Sequence, residues 1–456
     1  MSVLVVTIHG DCPGSRGEVC ENRTVRLGRQ GDSRICRPEP ARTMRPSTAC
    51  ERLRNMRLCY SSVIKTLGAV LVLGGTLTPG AEKGAPEPVA IFSQTSDTLY
   101  RIPSLVVAND GSVLAFCSCR KGGVKDFGHD SDVVLRRSSD GGSTFGPIST
   151  LMTKPGADIH HGPAVVERNS GRLFKFGKFW PGGADHKAAM HTIDESPYAK
   201  MVEAGWIDHV VISDDHGRTW SPPSPVPLDF PSTAFRCGTG NGNHGIQLRD
   251  GRLILQAGHM MTWEGFPDAL RMHLGTFFSD DGGTTWKRGI NIPHQQVREF
   301  AIVERLDGRL LLSIRATPRP ANDRFNPTAR KISGGQMLAL SEDRGESIAS
   351  SWLNSGLPYG DSNTGMVILH DGSAHGLIIH STPMQKRTKL ALHTSPDGGA
   401  TWRLAHTLDW NGVGYSDLAL SPDRQVLHCL FEAKVPGKKS VAGVFHLRLP
   451  VQLLRQ

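Results

Sequence analysis

Several short stretches of this sequence hold side chains suited to gripping a carboxylate or moving a proton. Four arginines stand in distinct settings: Arg101 in Tyr100-Arg-Ile-Pro103, Arg120 at the end of Phe116-Cys-Ser-Cys-Arg120, then Arg315 and Arg387. A guanidinium stays charged at any working pH and can meet a carboxylate with two parallel N–H bonds. Carboxylates of their own stand near them in sequence. Asp126, Asp130 and Asp132 share the run Asp126-Phe-Gly-His-Asp130-Ser-Asp132, and each is a candidate proton donor. Glu299 lies sixteen residues before Arg315, across a hairpin turned by Asp307-Gly308. Tyr415, in Gly414-Tyr-Ser-Asp-Leu418, carries a hydroxyl that becomes a nucleophile when a neighbouring base takes its proton. Glu432 follows in Leu430-Phe-Glu432. Taken singly, each has an ordinary structural reading: Arg101 as a strand-edge cation, Glu299 as a solvated strand residue, Tyr415 as half-buried packing.

A repeat supplies the elements that must position them. Ser138-Ser-Asp140-Gly-Gly142-Ser-Thr144-Phe145 returns as Ser213-Asp-Asp215-His-Gly217-Arg-Thr219-Trp220. It returns again at Ser279 to Trp286 and Ser395 to Trp402, with a decayed copy from Ser341 to Ser347. Successive copies start 75, 66, 62 and 54 residues apart. In each, the Asp can accept backbone N–H bonds, the Gly can supply a positive φ, and the aromatic can cover a neighbouring strand. A second turn, Asp-Gly-x-Leu/Val, recurs at Asp110, Asp250 and Asp307 between short alternating runs. Units of about 60 residues with four short strands and no intervening helical pattern predict radially arranged sheets, that is, a propeller. Five boxes and a closing piece at the C-terminus predict an all-β, six-bladed β-propeller of four-stranded antiparallel blades with Asp-box turns, over residues 86–456.

Composition narrows the partners. The chain has 456 residues, 38% hydrophobic and 21% charged, with 51 Gly and 29 Pro that favour many turns. Of the net charge of +9, residues 1–55 carry +4, from ten Arg against six acids, which leaves +5 for the rest. No basic run with interleaved aromatics accompanies it, so a nucleic-acid partner is not expected. Five of the nine cysteines precede residue 60; Cys117, Cys119, Cys237 and Cys429 do not make a disulfide scaffold.

The first 85 residues read as processing. Residues 1–55 show no sustained period and are expected to be a non-native or unstructured extension, with translation beginning at Met56 or, as the alternative, Met44. From there, Arg57 and Lys65 precede the apolar run Leu67 to Leu77, and Gly80 and Ala81 follow. That order fits a signal peptide over residues 56–85, and hence export; the run is too short for a comfortable membrane span.

The Arg-Ile-Pro motif followed by several Asp boxes resembles the sialidase (neuraminidase) family, over about residues 90 to 450. The resemblance implies a retaining exo-α-sialidase that needs no metal or organic cofactor and acts on sialylated glycans. By position in the motifs, Arg101, Arg315 and Arg387 would clasp the substrate carboxylate, with Arg120 beside them. Asp126 would be the acid, Tyr415 the nucleophile, Glu299 its base, and Glu432 the brace of Arg101. The physics is coherent: sialic acid carries a carboxylate on its anomeric carbon, and a neutral Tyr hydroxyl avoids the repulsion that a carboxylate nucleophile would meet. The competing expectation is an inactive Asp-box propeller that binds glycans.

Other features carry less. Asp158-Ile-His160-His161 could ligate a metal, but adjacent residues on a strand point to opposite faces. Cys117 and Cys119 lack further ligands at zinc spacing. Gly238-Thr-Gly-Asn-Gly-Asn243 has no following helix and is not a phosphate cradle.

Overall fold

In the computed structural model, the described residues are 86–122, 130–182, 207–229, 243–257, 274–292, 297–316, 336–354, 356–358, 362–384, 387–408, 410, 412–434 and 442–455. Contacts divide the chain after Thr78, and every described residue lies in the second unit, Pro79–Gln456.

The described elements are β-strands and one short 3-10 helix, Val451–Leu454. Strand β1 (Val89–Ser93) comes first. It is followed by β2 (Thr98–Val107), β3 (Val113–Lys121), β4 (Ser131–Ser138) and β5 (Ser149–Met152). Next come β6 (Ala157–Glu167), β7 (Arg172–Pro181), β8 (Asp208–Ser213) and β9 (Ser224–Pro225), then β10 (Ile246–Gln247), β11 (Leu253–Ala257), β12 (Leu274–Ser279) and β13 (Lys287–Ile292). The chain continues through β14 (Val297–Glu304), β15 (Leu310–Ala316), β16 (Gln336–Ser341) and β17 (Ser350–Asn354). It ends with β18 (Met366–Leu369), β19 (Leu377–Pro383), β20 (Leu390–Ser395), β21 (Arg403–Leu408), β22 (Ser416–Leu420), β23 (Val426–Lys434) and β24 (Ala442–Pro450).

The fold is all-β and a propeller of antiparallel sheets, but the expectation of six separate four-stranded blades needs correction. Four sheets are separate and four-stranded: β10–β13, β14–β17, β18–β21, and β1 with β22–β24. The strands β2–β9 form one eight-stranded sheet. Its halves join where Ser131 of β4 pairs in parallel with Asp158 of β6. The Ser131 hydroxyl donates to Asp158 Oδ1 at 2.7 Å, which holds that single junction. The closing sheet also departs from a purely C-terminal piece. Strand β1 pairs antiparallel with β24, Val89 opposite His446, so the N-terminal strand of the propeller completes the sheet made by the last three.

The boxes form as their residue types dictate. In each of the five, the Gly N–H donates to the first Ser Oγ, at 2.8–3.0 Å. The N–H of the Thr, or of Ser347 in the decayed copy, donates to the Asp at 2.9 Å. These turns carry aromatics into the seams between sheets. Trp286 is buried edge-on to Phe174 and Phe176, at 6.1 and 5.2 Å, in a cluster that joins β7 to β11 and β12. Packing of this kind fixes each sheet against the next, and so fixes where the innermost strands deliver their side chains.

Candidate active site

Tyr415 immediately precedes β22, and its backbone is held on two sides. Ser416 N–H donates to Asn363 O, and Glu432 N–H donates to Tyr415 O. Gly414 is required here because a Cβ at that position would fall on the Glu432 carboxylate. Through this close approach, Glu432 Oε2 accepts from Tyr415 N–H at 3.2 Å.

The Tyr415 side chain meets the hairpin of β14 and β15. Its hydroxyl donates to Glu299 Oε1 at 2.5 Å. Arg315 Nη1 donates to Glu299 Oε2 at 2.6 Å and to Tyr415 Oη at 3.0 Å, closing a triangle. Glu299 and Arg315 are buried, 3% and 7% exposed, so these bonds work in a medium of reduced dielectric. Burial first, and then the Glu299 charge, push the Tyr415 phenol well above its usual range, while Arg315 and Arg101 pull it down. A free phenolate is therefore scarce at neutral pH, and the Tyr415 proton has its acceptor already in place.

Arg101 lies at a bulge in β2, where the register against β3 shifts between Arg101 and Ser104. Ile102 takes φ 60°, an outlier for a β-branched residue. Glu432 Oε1 accepts from Arg101 Nε at 2.7 Å and from Ile102 N–H at 2.6 Å, which offsets that strain. Arg387 sits between β19 and β20 with φ 56°. The Cζ atoms of Arg101, Arg387 and Arg315 lie 5.7, 5.8 and 5.9 Å from the Tyr415 ring centroid. Three guanidiniums from separate sheets thus converge on one ring, and against them stand the carboxylates of Glu299 and Glu432. Three guanidiniums turned to one point fit an anionic ligand.

The remaining residues named from sequence are placed differently. Arg120 is the penultimate residue of β3, buried, with its backbone between Leu99 and Ser131. Asp126 lies outside the described residues. Of its two rivals, Asp132 is ion-paired with Lys121 at 2.6 Å and Asp130 is exposed. His160 and His161 do face opposite ways: His160 lies beside Asp158, and His161 beside Ser104 and Lys175. Among the described residues, no three His, Cys, Asp or Glu are placed to hold a metal ion, and no helix is long and apolar enough to cross a membrane.

Sequence reading missed a polar cluster made by Ser104, His161, Lys175, His244 and Asp417. One signal was available, a lysine flanked by aromatics in the apolar run Leu173-Phe-Lys-Phe176.

Comparison with known proteins gives a consistent background. The profile of the BNR repeat-like domain family matches residues 160–429. A sialidase of Micromonospora viridifaciens is 27% identical over 384 residues, covering 80% of this chain and 55% of its own length. The chain thus spans little more than half of that relative. Among solved structures, a Hadza microbial sialidase aligns with TM-score 0.59 at 22% identity, over 78% of this chain and 66% of that one. The Trypanosoma rangeli sialidase in complex with sialic acid aligns with TM-score 0.58 at 17% identity, over 81% and 59%. At these identities the likeness to solved structures is one of fold.

Proposed function

Because this chain belongs to the BNR repeat-like domain family, and because its Tyr415 hydroxyl is bonded to Glu299 within a ring of three arginines, we propose that it is a retaining exo-α-sialidase. The observation that carries the reading is the 2.5 Å bond from Tyr415 Oη to Glu299 Oε1. The curated sialidase relatives and the motif order support it.

In this reading the carboxylate on the anomeric carbon of sialic acid docks against Arg101, Arg315 and Arg387. Tyr415 Oη attacks that carbon while Glu299 takes the phenol proton, and the bond to the leaving oxygen breaks. Asp126 donates the proton that the leaving oxygen needs. Water, deprotonated by the same Asp, then displaces Tyr415 from the sugar, and Glu299 returns the proton to the phenol. Two displacements at one carbon retain its configuration. A tyrosine suits this task because the docked carboxylate would repel an ionised Asp or Glu approaching the same carbon.

The same reading takes the eight-stranded sheet as two blades side by side, β2–β5 and β6–β9, for six around the axis. It also takes residues 56–85 as a signal peptide and the enzyme as exported; N-terminal sequencing of protein recovered outside the cell tests this, and a start before the end of the apolar run at Leu77 refutes it. The activity is tested with a fluorogenic aryl sialoside. Release of the fluorophore with the α-anomer of sialic acid as first product supports the proposal; no turnover between pH 4 and 8 removes it.

A further inference from the structure

The residues that follow Arg101 and Tyr415 in the chain enter a buried polar cluster that the proposed chemistry does not use. Lys175, on β7, is fully buried, and its Nζ meets three neutral acceptors: Ser104 Oγ at 3.3 Å, His161 Nε2 at 2.9 Å, and Gly162 O. His161 Nε2 also lies 3.1 Å from Ser104 Oγ. The ammonium stands 5.0 Å from the Phe116 ring centroid. Asp417, two residues after Tyr415, is fully buried too. Its Oδ2 accepts from Leu105 N–H at 2.9 Å, and its Oδ1 from Leu418 N–H at 2.9 Å and from His244 Nδ1 at 2.7 Å.

These contacts meet on one dipeptide. Ser104 is gripped through its hydroxyl by Lys175, and Leu105 through its N–H by Asp417. Both follow directly on the Arg101–Ser104 bulge, whose Ile102 is strained. A strained bulge persists only where its surroundings hold it on every side. Glu432 holds it at Arg101 and Ile102; Lys175 and Asp417 hold it at Ser104 and Leu105.

We infer that Lys175 and Asp417 are positioning residues that together clamp β2 at Ser104–Leu105 and thereby hold Arg101 in register with Tyr415. The pair deepens the sialidase reading and rests on it. Burial disfavours the Lys175 ammonium strongly, and the Asp417 charge is the largest influence opposing that. Because Lys175 and Asp417 grip adjacent residues of one strand segment, loss of either loosens the same clamp, and the second loss adds less than the first.

The test is a double-mutant cycle in the whole protein with Lys175→Met, Asp417→Asn and the pair combined, reading kcat and KM on an aryl sialoside together with the thermal midpoint. Each folded single variant is expected to lose at least about tenfold in kcat per folded molecule, with KM changed less than about threefold, because a misplaced arginine costs reaction geometry first. The combined variant is expected to retain more activity than the product of the two losses. Folded single variants with the wild-type kcat, or losses that multiply independently, overturn the inference. If a single variant does not fold, Ser104→Ala supplies the same reading, since it removes only the hydroxyl that Lys175 holds; an unchanged kcat there overturns the inference equally. A wild type inactive on every sialoside defeats the sialidase reading and the positioning role that rests on it, while the shared clamp on Ser104–Leu105 is still judged by the thermal midpoints, where simple additivity overturns it.

Discussion

Tyr415 Oη and Glu299 Oε1 stand 2.5 Å apart although 116 positions separate them in the chain. One side chain precedes the inner strand of the closing sheet and the other comes from the β14–β15 hairpin, so propeller packing alone brings them together. Their bond gives the first expected outcome. Tyr415→Phe keeps the ring and removes the hydroxyl, and should lower kcat on the order of 10³–10⁴-fold, with an unchanged thermal midpoint. Glu299→Gln should lose about 10²-fold or more, since an amide cannot take the proton. Steady-state kinetics on an aryl sialoside check both, and a fully active Tyr415→Phe would exclude the proposed nucleophile.

The three arginines separate binding from chemistry. Arg387→Ala removes one guanidinium from the ring around Tyr415 without touching the Glu299 bond. A lost charge-assisted contact is worth about 1.5–3 kcal/mol, so affinity for a dehydrated sialic-acid analogue should fall about 10- to 150-fold. Calorimetric titration gives the number, and unchanged affinity would remove Arg387 from the carboxylate site.

Acid should loosen the seam at the closing sheet. His428 and His446 are buried and stacked, with Nδ1 and Nε2 3.1 Å apart, and Phe145 of the first box lies against His446. Burial first, then the Arg448 charge at His428 and the His428 and Arg448 charges at His446, pull their pKa values down to about 4 and about 3. The unfolded chain binds these protons near pH 6.5, ahead of the folded one. Above that pH the pair carries no penalty; as pH falls from 6.5 toward 4, stability drops by up to about 1.4 kcal/mol per pH unit for each histidine. His446→Gln should flatten the fall of the thermal midpoint across that window, and an identical slope would show that the pair does not contribute.

Adjacent glycines of one box should differ sharply. Gly282 and Gly283 both have positive φ, 68° and 89°. A Cβ on Gly282 meets nothing within 4 Å, whereas one on Gly283 would sit 2.3 Å from Phe174 Cζ. Gly282→Ala should therefore cost only the backbone strain, about 1–2 kcal/mol, and Gly283→Ala clearly more because the Phe174–Trp286 seam must also move. Chemical denaturation of the two variants decides it, and equal midpoints would mean the seam yields freely.

The short-range features were legible in advance. An Asp-box turn closes within five residues, so its Ser, Asp, Gly and Thr announce its hydrogen bonds, and even the decayed copy at Ser341 makes them. The motif arginines, Glu299, Tyr415 and Glu432 could be named because the motifs that hold them resemble those of the sialidase family. The joining of β4 to β6 could not be read, since it depends on one parallel pair, Ser131 with Asp158, that leaves no periodic trace.

By itself, then, the sequence determined the turns and the strand punctuation, because those depend on contacts between near neighbours along the chain, and it offered the candidate residues through the resemblance of their motifs to a known family. Only the tertiary structure decided that Tyr415, Glu299 and three arginines share one point, that β1 closes the sheet of β22–β24, and that Lys175 lies buried against Ser104 and His161. Those outcomes depend on how whole sheets pack around an axis. A lysine among phenylalanines has no meaning until that packing supplies Ser104, His161 and Asp417 around it.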